Sequence, residues 1–308
     1  MDGHTHQHTA RQQVAGMKRL SIVLAIAVSV LVVEICGVVF TSSLALLADV
    51  GHMLSDTAGL VMALIAVRLA RRPSTSQHTW GWLRAEIISA MLQALMLIGI
   101  GVYTLLEAIH RLIVPSSING SGLLAVGIVG LVGNIAGLLV LRRHHEANLN
   151  MRAAFLEVMN DAASSLAVIV SAIVIQFTGW ERADAVASLI IVALIVPRAA
   201  KILASTTRIL FEATPQELDL DRVREHLLHL PHVLAVHDLH ASTIATGLPV
   251  LSGHIVLPDE CFNDGHAIDV LDAATECLSA HHGIELHHIT IQLEPQRIAA
   301  IHAQQLHA

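Results

Sequence analysis

The chain has 308 residues, of which 54% are hydrophobic, 14% charged and 3% aromatic, with a formal net charge of −7. That balance points to a membrane protein and argues against nucleic-acid binding, because no basic cluster rivals the apolar runs and few aromatics remain for bases to stack on. The three cysteines, Cys36, Cys261 and Cys277, are too scattered for a disulfide framework or a CxxC pair. Histidine is the unusual residue, 21 copies against 18 Lys plus Arg, thirteen of them from His226 onward.

The chain begins with a polar stretch carrying His4, His6 and His8. It reads as a disordered tail, with weak metal collection as the alternative. Its basic residues come directly before a full-length apolar span, which is not the pattern of a cleaved signal peptide. Six apolar segments follow at about 20–40, 44–67, 86–109, 121–141, 153–177 and 184–204, each close to the ~20 residues a bilayer requires. Lys and Arg gather on alternate connections (Lys18 and Arg19, Arg68 to Arg84, Arg142 to Arg152, Arg198 to Arg208), while the opposite side receives only Arg111 and Arg182. The bias places both termini in the cytoplasm.

The second segment carries Asp49, His52 and Asp56 in an otherwise apolar run. An ionised Asp at the centre of a membrane helix costs about 2.5–3.5 kcal/mol on insertion scales, so such residues are rarely idle. His52 and Asp56 stand at i and i+4, on one helix face and within reach of one ion. A second such pair, Glu157 and Asp161, lies in the fifth segment, and two acids at that spacing repel unless a cation or proton separates them. Together the four could make a tetrahedral metal site inside the membrane; the alternative is a polar contact that only holds helices together. Asp49 could guide ions or bond locally, and Glu34 in the first span could assist proton traffic or make a structural bond.

After the sixth span, Thr214-Pro215-Gln216-Glu217 reads as a capping box opening a helix with Leu220, Val223 and Leu227 on one face. Residues 233–244 and 250–257 read as strands joined by a turn around Gly247. A second helix from near Asp264 places Ile268, Leu271 and Leu278 at helical spacing, with Gly283 as its C-terminal cap. Ile289, Ile291 and Leu293 alternate with His288, Thr290, Gln292 and Glu294, a strand with one wet face. The order α-β-β-α-β gives a small two-layer α+β domain with a thin core, which pairing with a second copy would help.

With these residues in place, the chain resembles the cation diffusion facilitator family of proton-coupled zinc exporters. The likeness runs from about Lys18 to Pro295 and rests on the stretches from Ser43 to Asp56, Trp80 to Glu86, Arg152 to Asp161, Phe177 to Asp184 and Val236 to His240. It implies six membrane helices and a cytoplasmic metallochaperone-like (ferredoxin-like) domain, working as a homodimer, with Zn²⁺ carried out of the cytoplasm against protons. The corresponding division is a tail at 1–18, a transport domain at 19–208, a regulatory and dimerisation domain at 209–296 and a tail at 297–308. A multi-pass protein of the bacterial inner membrane is expected. Relatives usually carry His where this chain has Glu157, so the set His52, Asp56, Glu157 and Asp161 is richer in oxygen and discriminates less against Cd²⁺, Co²⁺, Mn²⁺, Fe²⁺ or Ni²⁺. By the same resemblance, His237, His254, Glu294 and His266 match positions where relatives hold regulatory metal, with Gln292 a poor stand-in for another histidine and Cys261 nearby. No GxxxxGK[ST] loop for ATP and no HExxH pair are present, which favours a gradient-driven carrier over a pump or an intramembrane metalloenzyme. The tail is too short for a metal sensor with its own output.

Overall fold

Six long helices account for the apolar segments: α1 (Gly3–Thr41), α2 (Leu44–Ala70), α3 (Ala85–Ile113), α4 (Gly120–Leu141), α5 (Leu149–Thr178) and α6 (Arg182–Leu210). Each is long and apolar enough to cross a membrane. In this computed structural model residues 3–142, 149–280, 286 and 288–299 are described. The first helix starts at Gly3, so the polar stretch expected to be a tail is helical from its third residue. The sixth runs to Leu210, six residues past the expected end, and continues through Pro197. By internal packing the chain divides into two compact units, Met1–Val61 with Leu92–Lys201, and Met62–Met91 with Ile202–Ala308.

In the first unit, α4 packs against α1 and α5 along a row of glycines. A Cβ on Gly133 would meet Val30 at 2.4 Å and one on Gly127 would meet Ile169 at 2.9 Å, so only glycine lets these backbones approach so closely. Ala45, Leu46 and Ala48 of α2 share a buried cluster with Val168 and Ala172 of α5 and Ala187 and Ile191 of α6. The chain turns between α1 and α2 at Ser42, whose φ of 56° is left-handed.

A helix start in apolar surroundings leaves N–H groups without acceptors. For α2 the acceptor comes from α6: Asp184, fully buried, takes hydrogen bonds from Leu44 N (2.6 Å), Ala45 N (3.4 Å) and the Ser43 hydroxyl. Its negative charge also suits the positive end of the helix dipole. The two arginines that break the charge asymmetry act similarly on carbonyls: Arg111 donates to Ser42 O at 2.7 Å and Arg182 to Leu112 O at 2.7 Å. Asp184→Ala should strand three buried donors, a loss on the order of 3 kcal/mol. Thermal unfolding in detergent should show a clear drop, smaller for Asp184→Asn, which keeps one acceptor; an unchanged Asp184→Ala transition would refute the capping role.

In the second unit a three-stranded sheet, β1 (Ala235–Ala245), β2 (Leu248–Leu257) and β3 (His288–Pro295), carries α7 (Leu220–Leu228), the single turn α8 (Cys261–Asp264) and α9 (His266–Ala280). β2 is central, antiparallel to β1 and parallel to β3. Val223 and Leu227 of α7 and Val270, Ala274 and Leu278 of α9 fill the core against Leu251, Ile255 and Leu257. Three expectations are corrected here. The helix after the sixth span starts at Leu220, not at Thr214, because the Asp219 carboxylate caps it by accepting from Asp221 N and Arg222 N. The inward stripe of α9 is Val270, Ala274 and Leu278, leaving Ile268 67% and Leu271 37% exposed. Glu294 is not on a wet face: it is 1% exposed. Gly283, the expected cap, lies outside the described residues. The Trp80–Glu86 stretch belongs to this unit, with Arg84 2.7 Å from Glu212, Glu86 accepting from Thr246 and Trp80 edge-on to His288.

Candidate metal centre

His52 occupies the face of α2 that meets α5, and its Nε2 is the point on which three carboxylates converge. Asp56 Oδ2 lies 3.4 Å away, Glu157 Oε1 3.5 Å and Asp161 Oδ1 3.8 Å. Ligands bound to zinc at about 2.0–2.1 Å in a tetrahedron stand about 3.4 Å apart, so the spacing is that of donors around one small ion. The atoms of His52, Asp56 and Glu157 fall within 4.8 Å of one another, with Asp161 standing slightly off that trio. Glu157 Oε1 and Asp161 Oδ1 are buried and accept no hydrogen bond. Buried polar atoms are nearly always satisfied, so donors left open in this way suit a cation.

Two further side chains complete the geometry. Gln93 of α3 donates to Asp56 Oδ1 at 3.1 Å. Gly59, one turn beyond Asp56, makes this possible, because a Cβ there would fall 2.2 Å from the Gln93 side chain. Arg198 of α6, directly after Pro197, places its guanidinium 2.8 Å from Glu157 Oε2. Glu157 therefore faces His52 with one oxygen and Arg198 with the other. Sequence reasoning missed both. Gln93 was visible as a lone amide in an apolar span, whereas Arg198 resembles the cationic flanks that mark membrane orientation.

Asp49 and Glu34 are buried beside this quartet and outside it. Asp49 has Ser164 as neighbour, yet neither of its oxygens reaches good hydrogen-bond geometry, and Glu34 Oε2 is likewise without a partner. Gly130 leaves the room for Glu34: a Cβ there would sit 2.7 Å from Glu34 Oε1.

In the sheet, His237 and His254 are directly opposed across β1 and β2, and Gln292 is the next partner of His254 on β3. Their rings meet edge to face with centroids 5.1 Å apart. Glu294 lies 3.2 Å from His237 Nε2 and 2.9 Å from His254 Nδ1, and Gln292 donates to it at 2.7 Å. These imidazoles cover the carboxylate and bury it. A bulge after His237 puts Asp238 at φ 50°. There the hydrogen bond with His240 holds the Asp238 carboxyl below the usual carboxylate range. The structure thus gathers three of the four expected residues, His237, His254 and Glu294, while His266 groups with Cys261 and Asp264.

The family model described as the cation efflux transmembrane domain matches residues 20–211, and that for the cation efflux protein cytoplasmic domain matches 215–296. The metal cation efflux system protein CzcD of Cupriavidus metallidurans is 36% identical over 292 residues, 95% of this chain and 90% of that protein. The zinc transporter ZitB of Escherichia coli is 36% identical over 300 residues, covering 95% and 93%. The cadmium, cobalt and zinc/H(+)-K(+) antiporter of Bacillus subtilis is 34% identical over 296 residues, covering 96% and 92%. With both family models matched in order and such relatives aligned along almost its whole length, the chain belongs to the cation efflux (cation diffusion facilitator) family of multi-pass membrane transporters for divalent metal cations.

Proposed function

We propose that this protein exports Zn²⁺ from the cytoplasm in exchange for protons, with His52, Asp56, Glu157 and Asp161 as the transport site. The observation that carries the reading is the convergence of three carboxylates from two membrane helices on one imidazole nitrogen. Metal binding requires the four groups deprotonated, and protonation on the far side releases the ion, so one set of side chains couples the two fluxes. Alternating exposure of the site to the two faces makes the exchange vectorial. Arg198 holds Glu157 in place and offsets one of the three negative charges. Both termini lie in the cytoplasm of a bacterial cell and the protein works as a homodimer in the inner membrane, as the cationic connections and the match to the cytoplasmic family domain suggest.

A wider substrate range is the second reading, favoured by three oxygen donors against one nitrogen, which discriminate less among divalent ions, with Cd²⁺ and Co²⁺ suggested by the name of the Bacillus subtilis relative. Purified protein in liposomes loaded with a zinc-sensitive dye separates the possibilities. Zinc uptake is expected only with an opposing proton gradient and should stop when a protonophore collapses it. Zinc flux indifferent to the gradient would overturn the coupling.

In the cytoplasmic domain, His237, His254 and Glu294 form a regulatory zinc site in this reading, with Gln292 orienting the carboxylate. Full-length His254→Ala in detergent should bind about one zinc ion fewer per chain than wild type at saturation. An unchanged stoichiometry would leave the trio as a hydrogen-bonded sheet contact.

A further inference from the structure

Among the described residues, the transport quartet and the sheet trio leave one cluster of metal-binding side chains unused. Cys261 Sγ, a carboxylate oxygen of Asp264 and a ring nitrogen of His266 all lie within 4.8 Å of one another. The local backbone explains why. In the single helical turn of α8, Cys261 and Asp264 stand three residues apart and so share a face. Gly265, at φ 96°, then reverses the chain in a left-handed conformation that suits glycine, bringing His266 back onto the same side. The His266 N–H donates to Asp264 Oδ1 at 3.1 Å, and its Nδ1 lies 2.8 Å from Asp264 Oδ2. That contact fixes the ring, as a carboxylate does when it orients a metal-binding histidine.

A second imidazole comes from the segment ahead of β1. The His232 ring stacks obliquely near His266, centroids 4.6 Å apart, and His232 itself has a left-handed φ of 64°. Cys261 is 2% exposed and borders the hydrophobic core, whereas His266 and Asp264 are about half exposed. The thiol thus faces dry packing on one side and ion-binding groups on the other. A buried cysteine alone is most often a small apolar filler. An aspartate–histidine pair at its sulfur and a second imidazole beside that pair are not what a filler needs.

We propose that Cys261, Asp264, His266 and His232 form a separate binding site for a thiophilic divalent cation, Zn²⁺ or Cd²⁺, in the cytoplasmic domain. Thiolate and imidazole suit these ions and discriminate against Mn²⁺ and Mg²⁺ more sharply than the oxygen-rich transport quartet does. Binding releases the Cys261 proton to solvent and ties the α8–α9 turn to the segment leading into β1, a staple that a small domain with a thin core can use.

The sulfur makes the site separable from the quartet and the sheet trio, neither of which contains one. Full-length protein carrying Cys36→Ser and Cys277→Ser, titrated with Co²⁺ in detergent, should develop near-ultraviolet thiolate-to-metal charge-transfer absorption. Cys261→Ser should abolish that band. His266→Ala, at a half-exposed position that the fold tolerates, should weaken the Co²⁺ affinity read from it about tenfold or more. His254→Ala should leave it unchanged. Absence of the band at saturating Co²⁺, its survival in Cys261→Ser, or indifference to His266→Ala would each overturn the proposal.

Discussion

Asp161→Asn protein in liposomes is expected to lose proton-driven zinc flux by about 100-fold or more, since even groups one step removed from a metal typically cost 10–100-fold when replaced. The substitution keeps the volume of the side chain and removes one negative charge and the better ligand oxygen. Folding should survive. Asp161 is packed within α5 near His52, and its Oδ1 accepts no hydrogen bond that the amide would break. Unfolding temperature and dimer content, measured beside the flux, separate loss of the site from loss of the fold. His52→Ala should be at least as damaging, because Asp56, Glu157 and Asp161 all meet at its Nε2. A normally folded Asp161→Asn protein with wild-type flux would remove Asp161 from the transport path.

The spans were legible because hydropathy and length act locally: a bilayer reads about 20 apolar residues regardless of what they pack against. The pairs His52 with Asp56 and Glu157 with Asp161 were legible for the same reason, since i, i+4 spacing fixes a shared face before any tertiary contact exists. The rest was decided by partners far away in sequence or by a competing neighbour that local pattern did not rank. Strand alternation put Glu294 on the wet side, but imidazoles from β1 and β2 cover it. The capping box at Thr214 was a sound local pattern that lost to the Asp219 carboxylate five residues later. Asp184 carried no sign in the sequence that it would serve the start of a helix 140 residues earlier. Within the single chain His266 stands beside Cys261 and Asp264, on a turn folded by Gly265 that strand and helix periodicity did not reveal.

Glu157→His, which restores the residue usual in zinc-exporting relatives, is expected to weaken zinc transport, and the reason is Arg198. Once deprotonated, three carboxylates and one guanidinium give the quartet two net negative charges, which a divalent ion neutralises. Replacing Glu157 by neutral histidine leaves two carboxylates against the same guanidinium, so the bound state would carry an excess positive charge in apolar surroundings. It also strips Arg198 of its 2.8 Å partner. Hydrogen bonds to charged groups contribute about 1.5–3 kcal/mol, so half-saturating zinc should rise about tenfold or more in the single variant. Adding Arg198→Gln removes the surplus charge and should recover most of that loss. Arg198→Gln alone leaves Glu157 unpaired and the site more negative, which should favour cations less selectively. The double variant, with two nitrogen and two oxygen donors, should also resist Mn²⁺ competition better than wild type, since nitrogen donors suit zinc better than the harder ion. The measurement is zinc flux at matched pH for wild type, both single variants and the double, each with rival ions in excess. Additive effects of Glu157→His and Arg198→Gln would mean the two side chains act independently. Equal inhibition of all four proteins by rivals would mean that Glu157 does not set selectivity.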